Sequence, residues 1–216
     1  MTEQITVFLA KIPPADRWPL QAFRELPESV KSGILAYQQT DDQRRVYTGK
    51  KMIAALMADL WQEEEVYRRL TKSEVGKPCF SGGPDFNISH SGDWVAGIRS
   101  FKGKVGVDIE QIRPIDIDIF TRQFTPGERQ KMKEAAQPTH AFFEAWTGKE
   151  AVMKADGRGM RIPLHAIHLH PGKADIAGES ISYWLRPCEV PAGYKGHVSA
   201  DFPFDCTTKI IHLHGE

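Results

Sequence analysis

Residues 146–152 read WTGKEAV and residues 47–53 read YTGKKMI, so an aromatic residue followed by Thr-Gly-Lys occurs twice. Thr48 and Thr147 are 99 positions apart, which is close to half of the 216-residue chain. Both copies lie in segments where apolar residues recur at helical spacing. Each predicted helix is followed by segments with strand character, namely FNISH and DWVAGIRSF in the first half and IHLH, ISYWLR and GHVSADF in the second.

This echo predicts an α+β (α/β) fold of two similar lobes, residues 1–102 and 103–216, related by a pseudo-twofold axis with a cleft between them. The alternative is that a four-letter match arose by chance. For the second helix, Thr139 is the predicted N-cap and Asp156-Gly157 the predicted end.

The two copies differ directly after the shared lysine, where Lys51 in the first corresponds to Glu150 in the second. Glu150 lies on the apolar stripe of its own helix, together with Trp146 and Met153. A carboxylate that faces a core is costly unless another group neutralises it. The alternative is an exposed pair with Lys154 one turn later, which would carry no further meaning.

Residues 105–110 read VGVDIE and predict a buried β-strand. Val105, Val107 and Ile109 alternate as a core-facing row, so Asp108 and Glu110 project together from the other face. Like charges held this close repel each other. The strand face is therefore either fully solvated or covered by a cation.

Taken with Glu150, these acids form a set of three carboxylates without a nearby cysteine. Such a set favours a hard cation, Mg²⁺ with Mn²⁺ as an alternative, over zinc. Magnesium usually completes its coordination with substrate phosphates, so the acids predict a phosphate-bearing substrate.

Basic and polar residues near these motifs are consistent with an anionic ligand, although solvated surface explains each of them as well. FNISHSGDWVAGI predicts a hairpin whose first strand places Asn87, Ser89 and Ser91 on one face, where they could donate hydrogen bonds to phosphate oxygens. The basic residues are Lys149, Lys154, Arg158 and Arg161 in the second half, and Arg44, Arg45, Lys50 and Lys51 in the first.

Composition argues against several classes of protein. Lys+Arg and Asp+Glu both number 28, so no net charge draws the chain to nucleic acid or to a membrane. The N-terminal residues lack a signal-peptide pattern, and three widely spaced cysteines favour reduced thiols in a cytoplasmic protein. The sequence contains no GxxxxGK[ST], GxGxxG or GxSxG motif. Five histidines, at 165, 168, 170, 212 and 214, are expected to lie on strand surfaces rather than to serve as ligands of a second metal ion.

Three segments together resemble the Sfp-type 4'-phosphopantetheinyl transferases: GKPCF with FNISHSGDW (residues 76–94), VGVDIE (105–110) and FFEAWTGKEAVMKADGRGM (142–160). The resemblance covers the central part of the chain and implies the family's fold of two lobes with coenzyme A in the cleft. It also implies an enzyme that transfers 4'-phosphopantetheine from coenzyme A to a serine of an apo acyl or peptidyl carrier protein, with Mg²⁺, releasing 3',5'-ADP.

The resemblance assigns roles residue by residue. Implied are Asp108, Glu110 and Glu150 as metal ligands; Lys154 on a phosphate oxygen; Ser89 and His90 near the nucleotide phosphates; Arg45 and Lys31 on the 3'-phosphate; Lys77 near the nucleotide; and Glu128 as the base that takes the serine proton. A metal-bound water is the alternative base, and a first-turn helical charge is the alternative role for Glu128.

Other functions are compatible with the same acids. A Mg²⁺-dependent phosphohydrolase acting on coenzyme A-like nucleotides would use water as the nucleophile, and a coenzyme A-binding module would not react at all. The resemblance implies a monomer, and it places carrier docking in residues 111–141. There Ile115, Ile117, Ile119 and Phe120 form either an apolar docking surface or buried packing.

Overall fold

A computed structural model describes residues 2–213 of the chain. The helices are α1 (Leu20–Arg24), α2 (Glu28–Leu35), α3 (Thr40–Leu56), α4 (Glu63–Arg69), α5 (Pro126–Glu134) and α6 (Pro138–Asp156). The strands are β1 (Glu3–Lys11), β2 (Leu70–Lys72), β3 (Pro78–Phe80), β4 (Asp85–Ser91), β5 (Trp94–Ser100), β6 (Val105–Gln111), β7 (Ile167–His170), β8 (Lys173–Ile176), β9 (Ser182–Pro187), β10 (Tyr194–Ala200) and β11 (Phe204–Ile210).

The strands form two larger sheets and one small one. The first sheet has the order β11-β1-β5-β4, the second β6-β10-β9-β8-β7, and β2 pairs with β3. β1 and β11 run parallel with Glu3 opposite Phe204, whereas the other pairs are antiparallel. The predicted mixture of helices and sheets is confirmed.

The main core lies between the two sheets. The buried alternate residues of β6, Val105, Val107 and Ile109, pack there against apolar side chains of β1, β5 and β10. Helix α3 covers the outer face of the first sheet, and α6 lies on β6 and β10 of the second. The other face of β6, which carries the acids, is therefore turned toward α6.

Gly106 allows α6 to lie directly on β6. A Cβ atom at this position would be 2.1 Å from the carbonyl oxygen of Ala151 and 2.4 Å from the amide nitrogen of Ala155. Because both of these atoms belong to the helix backbone, no side-chain rotation could make room. The glycine of VGVDIE thus sets the distance between the acidic strand and the helix that carries Glu150.

Most of the predicted elements are confirmed, with corrections at their ends. The hairpin is β4–β5, with Ser91 opposite Trp94. The prediction of Thr139 as the N-cap is wrong, because Pro138 already occupies the first turn and Gln137 is the N-cap. The predicted end is confirmed, since Gly157 has φ = 92°, a conformation that glycine adopts without strain.

The parallel pair β1–β11 was not predicted by any motif or periodicity in the sequence. This pair brings residues 204–210, assigned above to the C-terminal lobe, into the same sheet as β1. The division at residues 102 and 103 stays a prediction. None of the helices within residues 2–213 combines the length and the apolar character needed to cross a bilayer.

Candidate active site

The acidic strand holds one carboxylate fully buried and one at the margin. Asp108 is 3% exposed, and Glu110 is half-buried two residues later on the same face. Ser89 of β4 donates a hydrogen bond to Asp108 Oδ1 at 2.8 Å. Asp108 Oδ2 is also buried and finds no hydrogen-bond partner among the described residues 2–213. An unsatisfied buried carboxylate oxygen is costly and is suited to accept a ligand.

Lys154 neutralises part of this charge. Its Nζ lies 2.7 Å from Asp108 Oδ1 and 2.9 Å from Ser89 Oγ. Lys154 follows Glu150 by one helical turn on α6, so one side of the helix presents a carboxyl group and an ammonium group to β6. The alternative, an exposed pair of Glu150 with Lys154, is not observed, because Lys154 forms a partly buried ion pair with Asp108.

Asp108 is close enough to the other two predicted ligands, Glu110 and Glu150, to influence their protonation. The pKa of Glu150 is raised to about 7, first by desolvation and then by repulsion from Asp108, with an opposing contribution from Lys154 and a smaller repulsion from Glu110. The pKa of Glu110 is also raised, first by desolvation, while a hydrogen bond from Ser91 opposes the rise. All three carboxylates therefore share one electrostatic environment.

The donor chemistry of this cluster fits a hard divalent cation. Three carboxylates, an unsatisfied buried oxygen and two raised pKa values describe acids that a positive charge would stabilise. Within residues 2–213, however, no group of three or more His, Cys, Asp or Glu side chains is already arranged to hold a metal ion. Lys154 accounts for part of this result, because its ammonium group lies against Asp108 where a metal ion would bind.

A pocket of about 300 Å³ lies on the β4 side of the acids, next to α3 and β2. Its basic lining residues are Arg45, Lys50, Lys72 and His90. The pKa of Lys50 is lowered, first by desolvation and then by repulsion from Lys72. The pKa of His90 is lowered, first by desolvation and then by the charges of Lys154 and Arg45. An anionic ligand would relieve this repulsion. Lys72 was missed by the sequence analysis, because it lies on the short strand β2 outside any motif.

Two predicted ligand-binding lysines are not among the residues that line this pocket. Lys31 pairs with Glu28 at 3.0 Å on α2. Lys77 pairs with Asp85 at 2.8 Å and also lies 3.4 Å from the carbonyl oxygen of Val105. Both assignments stay predictions.

An apolar groove of about 910 Å³ lies on the other side of Glu150. Its wall includes Phe124, Trp146, Met153, Ile162 and Leu164, with Glu150 at one edge. The acids thus adjoin a basic pocket through His90 and an apolar groove through Glu150.

Glu128, the predicted base, is held by its neighbours in this structure. Its Oε2 accepts a hydrogen bond from the Thr125 amide, and the Thr125 hydroxyl accepts one from the Glu128 amide, which forms a capping box at the start of α5. Its Oε1 lies 2.7 Å from Nζ of Lys149, a fully buried lysine that also donates to the Leu164 carbonyl at 3.0 Å. Both carboxylate oxygens are therefore engaged, and the role of Glu128 as base stays a prediction.

Other candidate groups lie away from the acids. Arg158 pairs with Asp156 and Glu179. His168 and His170 both lie against Asp175 on the exposed β7–β8 hairpin. His214 lies outside the described residues.

Comparison with known proteins agrees with this geometry. Residues 104–183 match the family model described as the 4'-phosphopantetheinyl transferase superfamily, a range that includes the three acids, Glu128 and Lys154. The chain is 32% identical over 184 residues to 4'-phosphopantetheinyl transferase Sfp of Bacillus subtilis (strain 168), which covers 79% of this chain and 81% of that protein. It is 34% identical over 138 residues to 4'-phosphopantetheinyl transferase gsp of Aneurinibacillus migulanus, covering 63% of this chain and 58% of the relative.

A shorter match, 46% identical over 91 residues, links it to 4'-phosphopantetheinyl transferase AcpT of Salmonella typhi, covering 39% of this chain and 47% of the relative. With the acids, the lysine and the flanking pockets in place, the chain belongs to the 4'-phosphopantetheinyl transferase superfamily and is a transferase of the Sfp type.

Proposed function

We propose that this transferase moves 4'-phosphopantetheine from coenzyme A to a serine of an apo acyl or peptidyl carrier protein in a Mg²⁺-dependent reaction, with Mn²⁺ as an alternative ion. The observation that carries the proposal is the position of Asp108, Glu110, Glu150 and Lys154 between a basic pocket and an apolar groove. A phosphate-linked substrate with one nucleotide end and one thiol-bearing arm matches such a site in charge and polarity.

In the reaction, the serine hydroxyl oxygen forms a bond to the phosphorus on the pantetheine side of coenzyme A. The bond from that phosphorus to the bridging oxygen breaks, and 3',5'-ADP leaves with the electron pair. Positioning and charge neutralisation dominate such transfers, since the protein makes no covalent bond to the phosphoryl group.

Asp108, Glu110 and Glu150 would hold the ion. When bound, the ion neutralises charge on the pyrophosphate and stabilises the leaving group. Asp108 supports this role most directly, because its Oδ2 is buried and without a partner among the described residues. The raised pKa of Glu150, about 7, also supports a bound cation, because a nearby positive charge would stabilise the ionised form of this carboxyl group.

Lys154 would bind a phosphate oxygen as a compact point charge. Its ammonium group now lies on Asp108 and Ser89, both at the edge of the proposed substrate position. Arg45 and His90 would bind the 3'-phosphate, together with Lys50 and Lys72 of the same pocket.

The remaining assignments rest on the family resemblance. Ser89 would lie near the phosphates if Lys154 binds them, since the two side chains are in contact, whereas Lys31 and Lys77 would have to leave their present partners to reach the nucleotide. Glu128 would take the serine proton only after releasing Lys149, with a water in the site as the alternative base.

The apolar groove beside Glu150 is suited to the pantetheine arm, which is long and mostly uncharged. Of the four apolar residues named for carrier docking, Ile119 is 69% exposed while Ile117 is buried at 8%. Docking would therefore use Ile119, and Ile117 serves packing.

We further propose two lobes, residues 1–102 and 103–216, related by a pseudo-twofold axis in a monomeric cytoplasmic enzyme. In each sheet an antiparallel strand pair, β1–β5 or β6–β10, extends into a third strand, β4 or β9, and a long helix, α3 or α6, covers the sheet. This shared order supports a duplication.

The test is intact-protein mass spectrometry of an apo carrier protein incubated with this enzyme, coenzyme A and Mg²⁺, with EDTA and Glu150→Gln as controls. A phosphopantetheine-sized gain on the carrier that is lost in both controls is the expected result. A gain that persists in EDTA would overturn the metal requirement. Cleavage of coenzyme A without a modified carrier would favour the phosphohydrolase.

A further inference from the structure

Alternate side chains of β4 bind the backbone of β6. The amide of each odd-numbered residue from Val105 to Gln111 donates to the β4 side chain 20 positions earlier. The four bonds are Val105 to Asp85 at 2.8 Å, Val107 to Asn87 at 3.0 Å, Ile109 to Ser89 at 3.4 Å and Gln111 to Ser91 at 3.0 Å. We call this set of four bonds the polar ladder.

The polar ladder completes an edge strand. β6 is the first strand of the second sheet and pairs with β10 on one side, which leaves alternate amides on its other side without a strand partner. Buried amides need acceptors. β4 supplies these acceptors with side chains rather than with its backbone, so the two sheets are joined along the length of the acidic strand.

The two serines of the ladder make a second bond each. Ser89 Oγ donates to Asp108 Oδ1 at 2.8 Å, and Ser91 Oγ donates to Glu110 Oε2 at 2.6 Å. A hydroxyl has one proton to donate and two lone pairs to accept with, so a single serine can hold a strand amide and a carboxylate at once. Each serine thereby ties the orientation of an acid to the position of the backbone beside it.

Ser91 matters more for Glu110 than Ser89 does for Asp108. Asp108 is held by an ion pair with Lys154 at 2.7 Å as well as by Ser89. Lys154 makes this ion pair with Asp108 and not with Glu110. Glu110 is half-buried near the end of β6, where the Ser91 hydrogen bond favours its charged form more than the electrostatic attraction of Lys154 and of Arg113 does. Without the Ser91 hydroxyl, the Glu110 carboxylate would be free to turn away from the other two acids.

We propose that Ser91 is a positioning residue for Glu110, and that the polar ladder is the device by which the first sheet aligns the acidic strand for ion binding. This inference rests on the proposed function, since it assigns Glu110 to the ion. Ser91 would act through Glu110, because its hydroxyl is bonded to the Glu110 carboxylate and to the Gln111 amide.

The test measures Mn²⁺ binding by electron paramagnetic resonance without coenzyme A, and thermal unfolding without metal. For Ser91→Ala we expect Mn²⁺ affinity to fall about tenfold, which is the low end for loss of a partner that orients a metal ligand. Ser91→Thr keeps the hydroxyl and should recover the affinity to within about threefold. If Ser91→Ala does not fold, Ser91→Cys replaces it, and its weak donor should give an intermediate affinity.

Two control variants separate orientation from stability. Ser100→Ala removes a buried hydroxyl that accepts from the Lys102 amide and forms no hydrogen bond with a carboxylate among residues 2–213, so Mn²⁺ affinity should not change. Asn87→Ala removes one bond of the polar ladder, at a side chain that holds no acid. It should therefore lower the unfolding temperature and leave the Mn²⁺ affinity nearly unchanged.

The outcomes distinguish this inference from the proposed function. Mn²⁺ binding by the wild type with equal affinity in Ser91→Ala would overturn the positioning role and leave the metal site intact. Absence of Mn²⁺ binding in the folded wild type would overturn the metal site itself. A tenfold loss in Ser91→Ala that Ser91→Thr fails to recover would show that packing, rather than the hydroxyl, is responsible.

Discussion

Helices α3 and α6 contain the same Thr-Gly-Lys segment, and in both the threonine bonds to the preceding turn, while Thr147 also bonds to Nδ1 of His197 on β10 at 2.8 Å. Thr48 Oγ1 donates to the Arg44 carbonyl and Thr147 Oγ1 to the Phe143 carbonyl, both at 2.8 Å and both fully buried. A buried hydroxyl on a helix commonly satisfies itself by this bond to the preceding turn. The bond from the threonine to the preceding turn is therefore a local feature of both helices and says nothing about their chemistry.

The residues around the segment differ in what they face. Lys51 pairs with Glu63 at 2.7 Å on the outside of the first sheet, whereas the corresponding Glu150 faces the acids of β6. Lys50 lines the basic pocket, whereas the corresponding Lys149 is buried against Glu128. Equivalent positions on the two helices therefore have different roles, because each side chain meets different neighbours in its own half of the molecule.

The largest expected effect concerns the residue after the shared lysine. Glu150→Gln removes one proposed ligand charge and should lower the rate of carrier modification by about 10²–10³-fold, as for loss of a group that stabilises transition-state charge. Lys51→Gln, at the corresponding position of α3, should change the rate less than about threefold, because its loss breaks only a partly exposed ion pair. Comparable losses in both variants, measured by the mass assay, would contradict the assignment of chemistry to α6 alone.

The second effect concerns how closely each helix lies on its strand. Gly106→Ala places a Cβ 2.1 Å from a backbone oxygen of α6, and we expect it to reduce the free energy of unfolding by about 3 kcal/mol. Gly97→Ala meets the buried side chain of Met52 at 2.6 Å rather than helix backbone, so a smaller loss of about 1–2 kcal/mol is expected. Urea unfolding of both variants measures the difference, and equal losses would mean that α6 is as adjustable as α3.

The third effect concerns the shared lysine itself. Lys149→Met breaks a pair with a fully buried lysine and should reduce the free energy of unfolding by about 2–3 kcal/mol, since Glu128 is partly exposed and can be hydrated. Lys50→Met should change it by less than about 0.5 kcal/mol and instead raise the KM for coenzyme A. Urea unfolding and steady-state kinetics check the two expectations. A large loss of stability in Lys50→Met would remove the contrast.

The smallest expected effect is a change of stability with pH that depends on Glu144, two residues before the second segment. The pKa of Glu144 is lowered to about 2, first by its bond to His197 and then, against desolvation, by Lys195. An acid with a lowered folded pKa stabilises the fold above its unfolded value near 4.5, and this contribution is lost as pH falls toward 2. Because Glu144 is 45% exposed, the contribution should not exceed about 1 kcal/mol.

The measurement is urea unfolding of wild type and Glu144→Gln between pH 6 and pH 2.5. The difference between them should be constant at the upper end and shrink as the pH falls. Arg45→Gln, at the corresponding position of α3, breaks an ion pair with Asp42 that is partly exposed on both sides, so it should show a smaller trend over this range. A difference for Glu144→Gln that does not change with pH would show that its ion pairs contribute nothing.

Much of the architecture could be predicted from the sequence because it depends on local pattern. The alternation in VGVDIE and FNISHSGDWVAGI identified β6 and the β4–β5 hairpin, and the TGK segments identified α3 and α6. The motifs also selected residues that the fold brings together, since Asp108, Glu110, Glu150 and Lys154 share one electrostatic environment.

By itself, therefore, the sequence determined which segments are strands and helices, which acids cluster, and that the protein is a 4'-phosphopantetheinyl transferase. The tertiary structure alone decided the parallel pairing of β1 with β11, the burial of Lys149 against Glu128, and the polar ladder. Periodicity fixes the face on which a side chain lies, because it follows from backbone geometry within one element. The partner of that side chain depends on the distance and register between elements far apart in the chain, and packing of the whole molecule sets both.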